Sequence, residues 1–305
     1  MAADAMTPDL ELEVAAPVLG ADTVVGSDRP GRRTHGIKQA GWYVLLSGLS
    51  LIVLFPIWMT LVRALSTPIA YIEAGQPVTP VEPQWDVFQR AFTEGELAQK
   101  FGITIVVTLI ITAAQVGTSL LAAYAFVFLR FPLRGPLFAL FMATLMLPIE
   151  VTLLVNAVTI RNLGWLDSFQ GLTAPFLAAA FGTFLLRQGF LGIPLDLRDA
   201  AELDGLGHLG FLRRVAVPVT RPIIASFTLV AFLAAWNQYT WPRVAVTEQD
   251  WETIQIALKG LAARNIDQLN IGFAAAIIAA VPILILLLAF QKQIVRGLTA
   301  GAVKG

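Results

Sequence analysis

The chain has 305 residues, of which 56% are hydrophobic and only 14% charged, with zero formal net charge at pH 7. A soluble domain carries about 25% charged residues, so lipid is the solvent for much of this chain, and the neutral balance gives no support to a nucleic-acid partner. The absence of cysteine excludes disulfides, thiolate metal sites and cysteine nucleophiles, and the two histidines, His35 and His208, are too far apart in sequence for a His-based metal site.

Residues 1–38 are rich in Ala, Asp and Gly, have no helical period and lack the apolar core of a signal peptide, which predicts a disordered tail and an uncleaved first span. Six apolar runs follow, at 41–62, 101–129, 137–158, 172–190, 222–241 and 271–290. A membrane helix needs about 20 mostly apolar residues, and backbone groups in lipid must be satisfied within the segment. The runs lack the alternation of a β-barrel. The prediction is an all-α membrane protein with six transmembrane helices in one domain, 39–305.

Basic residues set the orientation. With the N-terminus in the cytoplasm, that side collects 14 of the 21 Lys and Arg residues, including Arg130, Arg134, Arg187, Arg198, Arg213, Arg214 and Arg221. The other side keeps Arg63, Arg90, Lys100, Arg161, Arg243, Lys259 and Arg264. Both termini and the connection 191–221 are therefore expected in the cytoplasm. Two outer segments remain, 67–100, broken by Pro68, Pro77, Pro80 and Pro83, and 242–270. No internal repeat, which an ion-coupled secondary transporter would usually show, is visible. Phosphate-loop, H-E-x-x-H, G-x-S-x-G and EF-hand patterns are missing, so transport or a structural membrane role is expected rather than catalysis.

The connection 191–221 breaks the apolar pattern. Pro194 stops the preceding structure, and Asp196 and Asp199 suit the start of a helix that continues through Ala200, Ala201, Glu202 and Leu203. Gly205, Gly207 and Gly210 permit a bend, and "HLGFLRRVAV" (208–217) forms a second short helix that Pro218 and Pro222 end. The segment could lie on the bilayer surface or dock into another protein. Anionic lipid repels Asp199, Glu202 and Asp204, which favours docking.

Asp199-Ala200-Ala201, Asp204-Gly205 and Pro218 resemble the E-A-A-x-x-D-G loop of ABC importer permeases, with Asp in place of the usual Glu. "LRFPLR" (129–134) and "GLTAGAVKG" (297–305) are similar to the binding-protein-dependent carbohydrate type, and "TLMLPIEV" (144–151) and "WNQYTWP" (236–242) to glycerol-3-phosphate and glycerophosphodiester importers. The resemblance, over about 40–305, implies a type I importer fold in a bacterial inner membrane and a non-catalytic subunit importing a glycerol-phosphate-type solute, or alternatively a di- or oligosaccharide. It also implies a homologous second permease, two copies of an ATP-binding subunit carrying the ATP and Mg, and an extracytoplasmic solute-binding protein. The ATPase-coupling residues would be Asp199, Ala200, Ala201, Glu202, Asp204, Gly205, Gly207 and Leu209.

Glu150, about 20 Å into the third run at 1.5 Å per residue, follows Pro148, which should bend the helix. Trp236, Asn237, Gln238 and Tyr239 fall at a comparable depth in the fifth. An ionisable residue at such depth marks a functional site, so Glu150 should face Asn237 or Gln238 in a polar passage or outer gate. Two other readings stay open: Trp236, Tyr239 and Trp241 as an interfacial aromatic belt, and Glu150 as a partner in a helix–helix hydrogen bond. Gln115 and Asn156 read as packing residues.

Overall fold

A computed structural model describes residues 32–94, 96–262 and 266–302. The expectations for residues 1–31, Arg264 and 303–305 lie outside them. The chain divides into two units between Leu54 and Phe55. In the first unit the helix α1 (Arg32–Leu65) begins inside the stretch expected to be a disordered tail. Arg, Lys and Gln are good helix formers, and they extend the apolar helix toward its N-terminus. Trp42, Leu45, Leu51 and Leu54 stand exposed, as a lipid-facing helix requires.

The second unit starts with the end of α1 and two short helices, α2 (Pro68–Glu73) and α3 (Val87–Glu94), separated by the predicted proline-rich stretch. Thr67 and Gln84 donate their N–H groups to the Val81 and Leu65 carbonyls, at 3.1 and 2.7 Å, and tie this loop down. The long helix α4 (Leu97–Phe128) follows, and Pro132 keeps it from continuing. Then come α5 (Arg134–Ala143), α6 (Ile149–Asn162), α7 (Phe169–Thr173) and α8 (Ala180–Leu191). The polar connection holds α9 (Leu195–Leu203), α10 (His208–Phe211), a π turn at Leu212–Ala216 and α11 (Val217–Val219). The chain ends with α12 (Arg221–Trp236), α13 (Thr240–Ala245), α14 (Ile254–Ala262) and α15 (Leu269–Ala302).

Three helices among the described residues are long and apolar enough to cross a membrane: Gly41–Leu65, Leu97–Phe128 and Ile266–Gln291. The other three predicted spans are broken. The run at 137–158 turns sharply between Met146 and Glu150, where Leu147 and Pro148 are extended and Pro148 has no N–H to give. The run at 172–190 bends by 47° between Phe176 and Ala180. The run at 222–241 stops being helical at Trp236, and its start meets the preceding helical stretch at 83°. The helical stretch 208–219 ends at Val219, one residue past Pro218. Pro222 sits in the first turn of α12, where its missing N–H costs nothing.

A broken helix in hydrocarbon leaves carbonyls that need donors. Side chains of α4 supply them at the 176–180 break. Gln115 Nε2 donates to the Phe176 carbonyl at 2.9 Å, Thr118 to Leu177 at 3.0 Å and Ser119 to Ala179 at 3.3 Å. Gln115, read from sequence as a packing residue, thus has a hydrogen-bonding duty. Glycines then let α8 approach α12: a Cβ on Gly182 would lie 2.1 Å from Phe227 Cζ and 2.5 Å from Ser119 Oγ, and one on Gly189 2.8 Å from Ile223 Cδ1. Small residues at helix crossings in membranes serve this close packing. Gly182→Leu is expected to cost at least about 1–3 kcal/mol by overpacking, read as a lower thermal midpoint of the detergent-purified protein.

Candidate functional site

Two groups of predicted residues lie at opposite ends of α12. At its N-terminal end, α9 and α10 rest on α4 and α8 through Ala201 and Phe211, both buried with Tyr124, Leu186 and Phe190. Ala201 fits there because a methyl allows the backbone close to Tyr124 and Phe128. Tyr124 Oη and His208 Nδ1 are hydrogen-bonded at 3.0 Å and pin α10 to α4. Gly205 closes α9 with φ +72°, where its N–H bonds to Glu202 and Leu206 N–H to Ala201. Asp199, Ala200, Glu202, Asp204, Gly205, Gly207 and Leu209 are exposed, and so are Leu195 and Leu203. Of the predicted coupling set, Ala201 alone is buried. The outward side combines carboxylates with large leucines, and Leu203 is 89% exposed. An Arg198–Glu202 pair at 3.2 Å, one turn apart, steadies the helix.

At the C-terminal end of α12 the chain opens into a cavity of about 280 Å³, lined by Glu150, Asn237, Gln238, Tyr239, Phe176 and Trp241 among others. The break before α6 puts Glu150 in a first helical turn rather than mid-span, where the positive end of the helix favours a carboxylate. Asn237 caps α12 and turns its amide back on the Leu233 carbonyl at 2.8 Å. Gln238 Oε1 is buried and has no hydrogen-bond donor among the described residues.

Trp236 does not join this cavity. It is 1% exposed, stacks on Phe232 at 9°, meets Phe101 edge-on and donates its indole N–H to the Ala279 carbonyl at 3.2 Å. Trp241 is buried as well and donates to the Gly171 carbonyl at 3.1 Å. Neither forms an aromatic belt, because each indole N–H finds a partner carbonyl inside the bundle. Trp236 anchors the end of α12, and Trp241 holds α13 against α7.

Sequence reading missed two further polar groupings at this end. Lys100, 5% exposed, meets Glu252 at 3.1 Å and Glu96 at 3.5 Å, a pairing that a buried ammonium needs. Asp167 accepts from the N–H groups of Thr247 at 2.6 Å and Glu248 at 2.9 Å and from the Thr247 hydroxyl. Apart from Glu96, four positions before Lys100, the partners lie 80 positions or more away, so the sequence offered little more than a charge beside an apolar run. Burial pushes the Asp167 carboxyl up, but the Glu248 N–H and the hydroxyl and N–H of Thr247 outweigh it and hold the group below its ordinary value of 3.8. A lowered value means the clamp is fully stabilising above the unfolded value and is lost as pH falls through the folded one. Amide exchange at Thr247 and Glu248 is therefore expected to stay slow above about pH 5 and to lose protection well below about pH 4. In Asp167→Ala that protection should be absent at every pH.

The family described as "Binding-protein-dependent transport system inner membrane component" matches residues 115–300. The sn-glycerol-3-phosphate transport system permease protein UgpE of Salmonella typhimurium (strain LT2) is 32% identical over 272 residues, 87% of this chain and 96% of that protein. Its namesake in Yersinia pestis bv. Antiqua is 32% identical over 256 residues, 81% of this chain and 91% of that one. Among solved structures, a bacterial ABC transporter involved in the import of the acidic polysaccharide alginate superposes with a TM-score of 0.73 at 24% identity, over 86% of this chain and 98% of that one.

Proposed function

This chain belongs to the binding-protein-dependent transport system inner membrane components, as a multi-pass permease subunit of an ABC importer, and from that premise we propose that it moves a glycerol-phosphate-type solute by alternating access. The observation that carries the mechanical part is the two-sided build of 195–219. Its inner side, Ala201 and Phe211, is buried on α4 and α8, while Asp199, Glu202, Asp204, Leu203 and Leu209 face outward. That outward side lies in the cytoplasm by the positive-inside count and docks on a separate ATP-hydrolysing subunit, present in two copies. A displacement there passes into α12 through the continuous helical stretch 208–219 and reaches the cavity at the far end of α12.

The solute reading rests on the relatives named as sn-glycerol-3-phosphate permeases, which this chain matches over most of its length. The chemistry of the cavity agrees. The Glu150 carboxylate is an acceptor for polyol hydroxyls, and Asn237, Gln238 and Tyr239 add polar edges. A homologous second permease supplies the other half of the passage, and an extracytoplasmic binding protein delivers the solute.

Gly205→Val tests the coupling. An L-residue at φ +72° costs about 1–2 kcal/mol of backbone strain, and open space around the position means that no clash obscures the result. The reconstituted importer is expected to insert and assemble, but solute-stimulated ATP hydrolysis and uptake should fall several-fold. Undiminished uptake with normal ATPase docking would sink the mechanism. The solute is tested by loading the binding protein with sn-glycerol 3-phosphate, a glycerophosphodiester or a disaccharide. The first two should stimulate hydrolysis, and stimulation by the disaccharide alone would reject the reading.

A further inference from the structure

Beside the Glu150 cavity, and sharing Tyr239 with it, lies a second cavity of about 370 Å³. Lys100, Arg243, Glu252 and Lys259 line it, with Gln249 at its rim. Its charges are unevenly used. Glu252 and Glu96 are both committed to Lys100, and Gln249 Nε2 also donates to Glu96, at 2.8 Å. Arg243 and Lys259 are exposed and have no carboxylate partner among the described residues. Lys259 Nζ sits 4.4 Å from the centre of the Tyr239 ring, which holds the ammonium at the boundary between the two cavities. Arg243 stands in the last turn of α13 and Lys259 in the last turn of α14, each on an element fixed by buried neighbours, Trp241 and Ala257.

We propose that this cavity is an outer receiving site for the phosphate group of the transported solute, bound by Arg243 and Lys259. This rests on the glycerol-phosphate reading and assigns the solute's two chemical ends to two places. A phosphomonoester carries about −1.5 to −2 charge near neutral pH, and two uncompensated cations facing water answer it with charge-assisted hydrogen bonds. The Glu150 cavity, whose carboxylate repels phosphate, takes the hydroxyls. Tyr239 lines both cavities, so a solute bound through phosphate at one reaches the other without leaving the wall. The fixed positive charge also raises the local concentration of anionic solute at the outer mouth.

The test uses the whole importer, purified without binding protein in phosphatidylcholine nanodiscs and titrated with inorganic phosphate and with sn-glycerol 3-phosphate. The double variant R243Q/K259Q is expected to weaken both by about tenfold or more, and high salt should narrow the gap to the unaltered importer. R243K/K259R should keep most of the affinity. Arg161→Gln, an exposed charge expected on the same side and lining neither cavity, should change nothing. Equal affinity in the unaltered importer and R243Q/K259Q, or no phosphate binding by either, would overturn the proposal. So would loss of phosphate binding in phosphatidylglycerol nanodiscs alone, which would assign the cavity to a lipid headgroup. Uptake by the unaltered importer separates this from the solute reading: phosphate binding that needs Arg243 and Lys259, without glycerol 3-phosphate uptake, rejects the solute and keeps the site.

Discussion

Hydrocarbon offers no hydrogen bonds to a broken helix, and the bonds from Gln115, Thr118 and Ser119 to the carbonyls of Phe176, Leu177 and Ala179 answer that constraint. They allow the chain to bend within a predicted span. The bend sets α8 along α4, which brings Gly182 and Gly189 against Phe227 and Ile223 of α12. Both candidate sites are hung from α12. An unmet carbonyl at the bend would put the whole three-helix contact under strain.

The two ends of α12 are finished differently, and the difference has a physical cause. At its start, helix follows helix through a π turn and an 83° corner, with Phe211, Leu212 and Ala216 buried beneath. At its end, Trp236 is locked by Phe101, Phe232 and the Ala279 carbonyl, and the next three residues leave the helix and line a cavity. A fixed aromatic followed by unwound polar backbone is tolerated at this depth because it faces a cavity rather than lipid.

Much of this was legible before any coordinates. The run lengths identified the membrane helices, and the Asp-Ala-Ala and Asp-Gly pattern located the segment that became α9 and its turn. The pairing of Glu150 with Asn237 and Gln238 was expected from depth alone, and the fold does bring them to one cavity. Depth was a poor guide to Trp236 and Trp241, because a tryptophan near a span end reads the same whether it faces lipid or a partner carbonyl. Lys100, Asp167, Arg243 and Lys259 carried little signal beyond Glu96 one turn before Lys100. Each was one basic or acidic residue beside an apolar run, and its meaning depends on groups contributed by other elements.

By itself, then, the sequence determined that this chain is helical, membrane-embedded and interrupted by a polar segment, because these follow from local composition: apolar length, glycine and proline positions, and the sign of nearby charges. The tertiary structure alone decided which spans break, which indoles are buried and which cations stay unpaired. The reason is that hydrophobicity adds up residue by residue along the chain. A hydrogen bond or ion pair requires two groups, often 60 to 150 positions apart, to arrive at one place together.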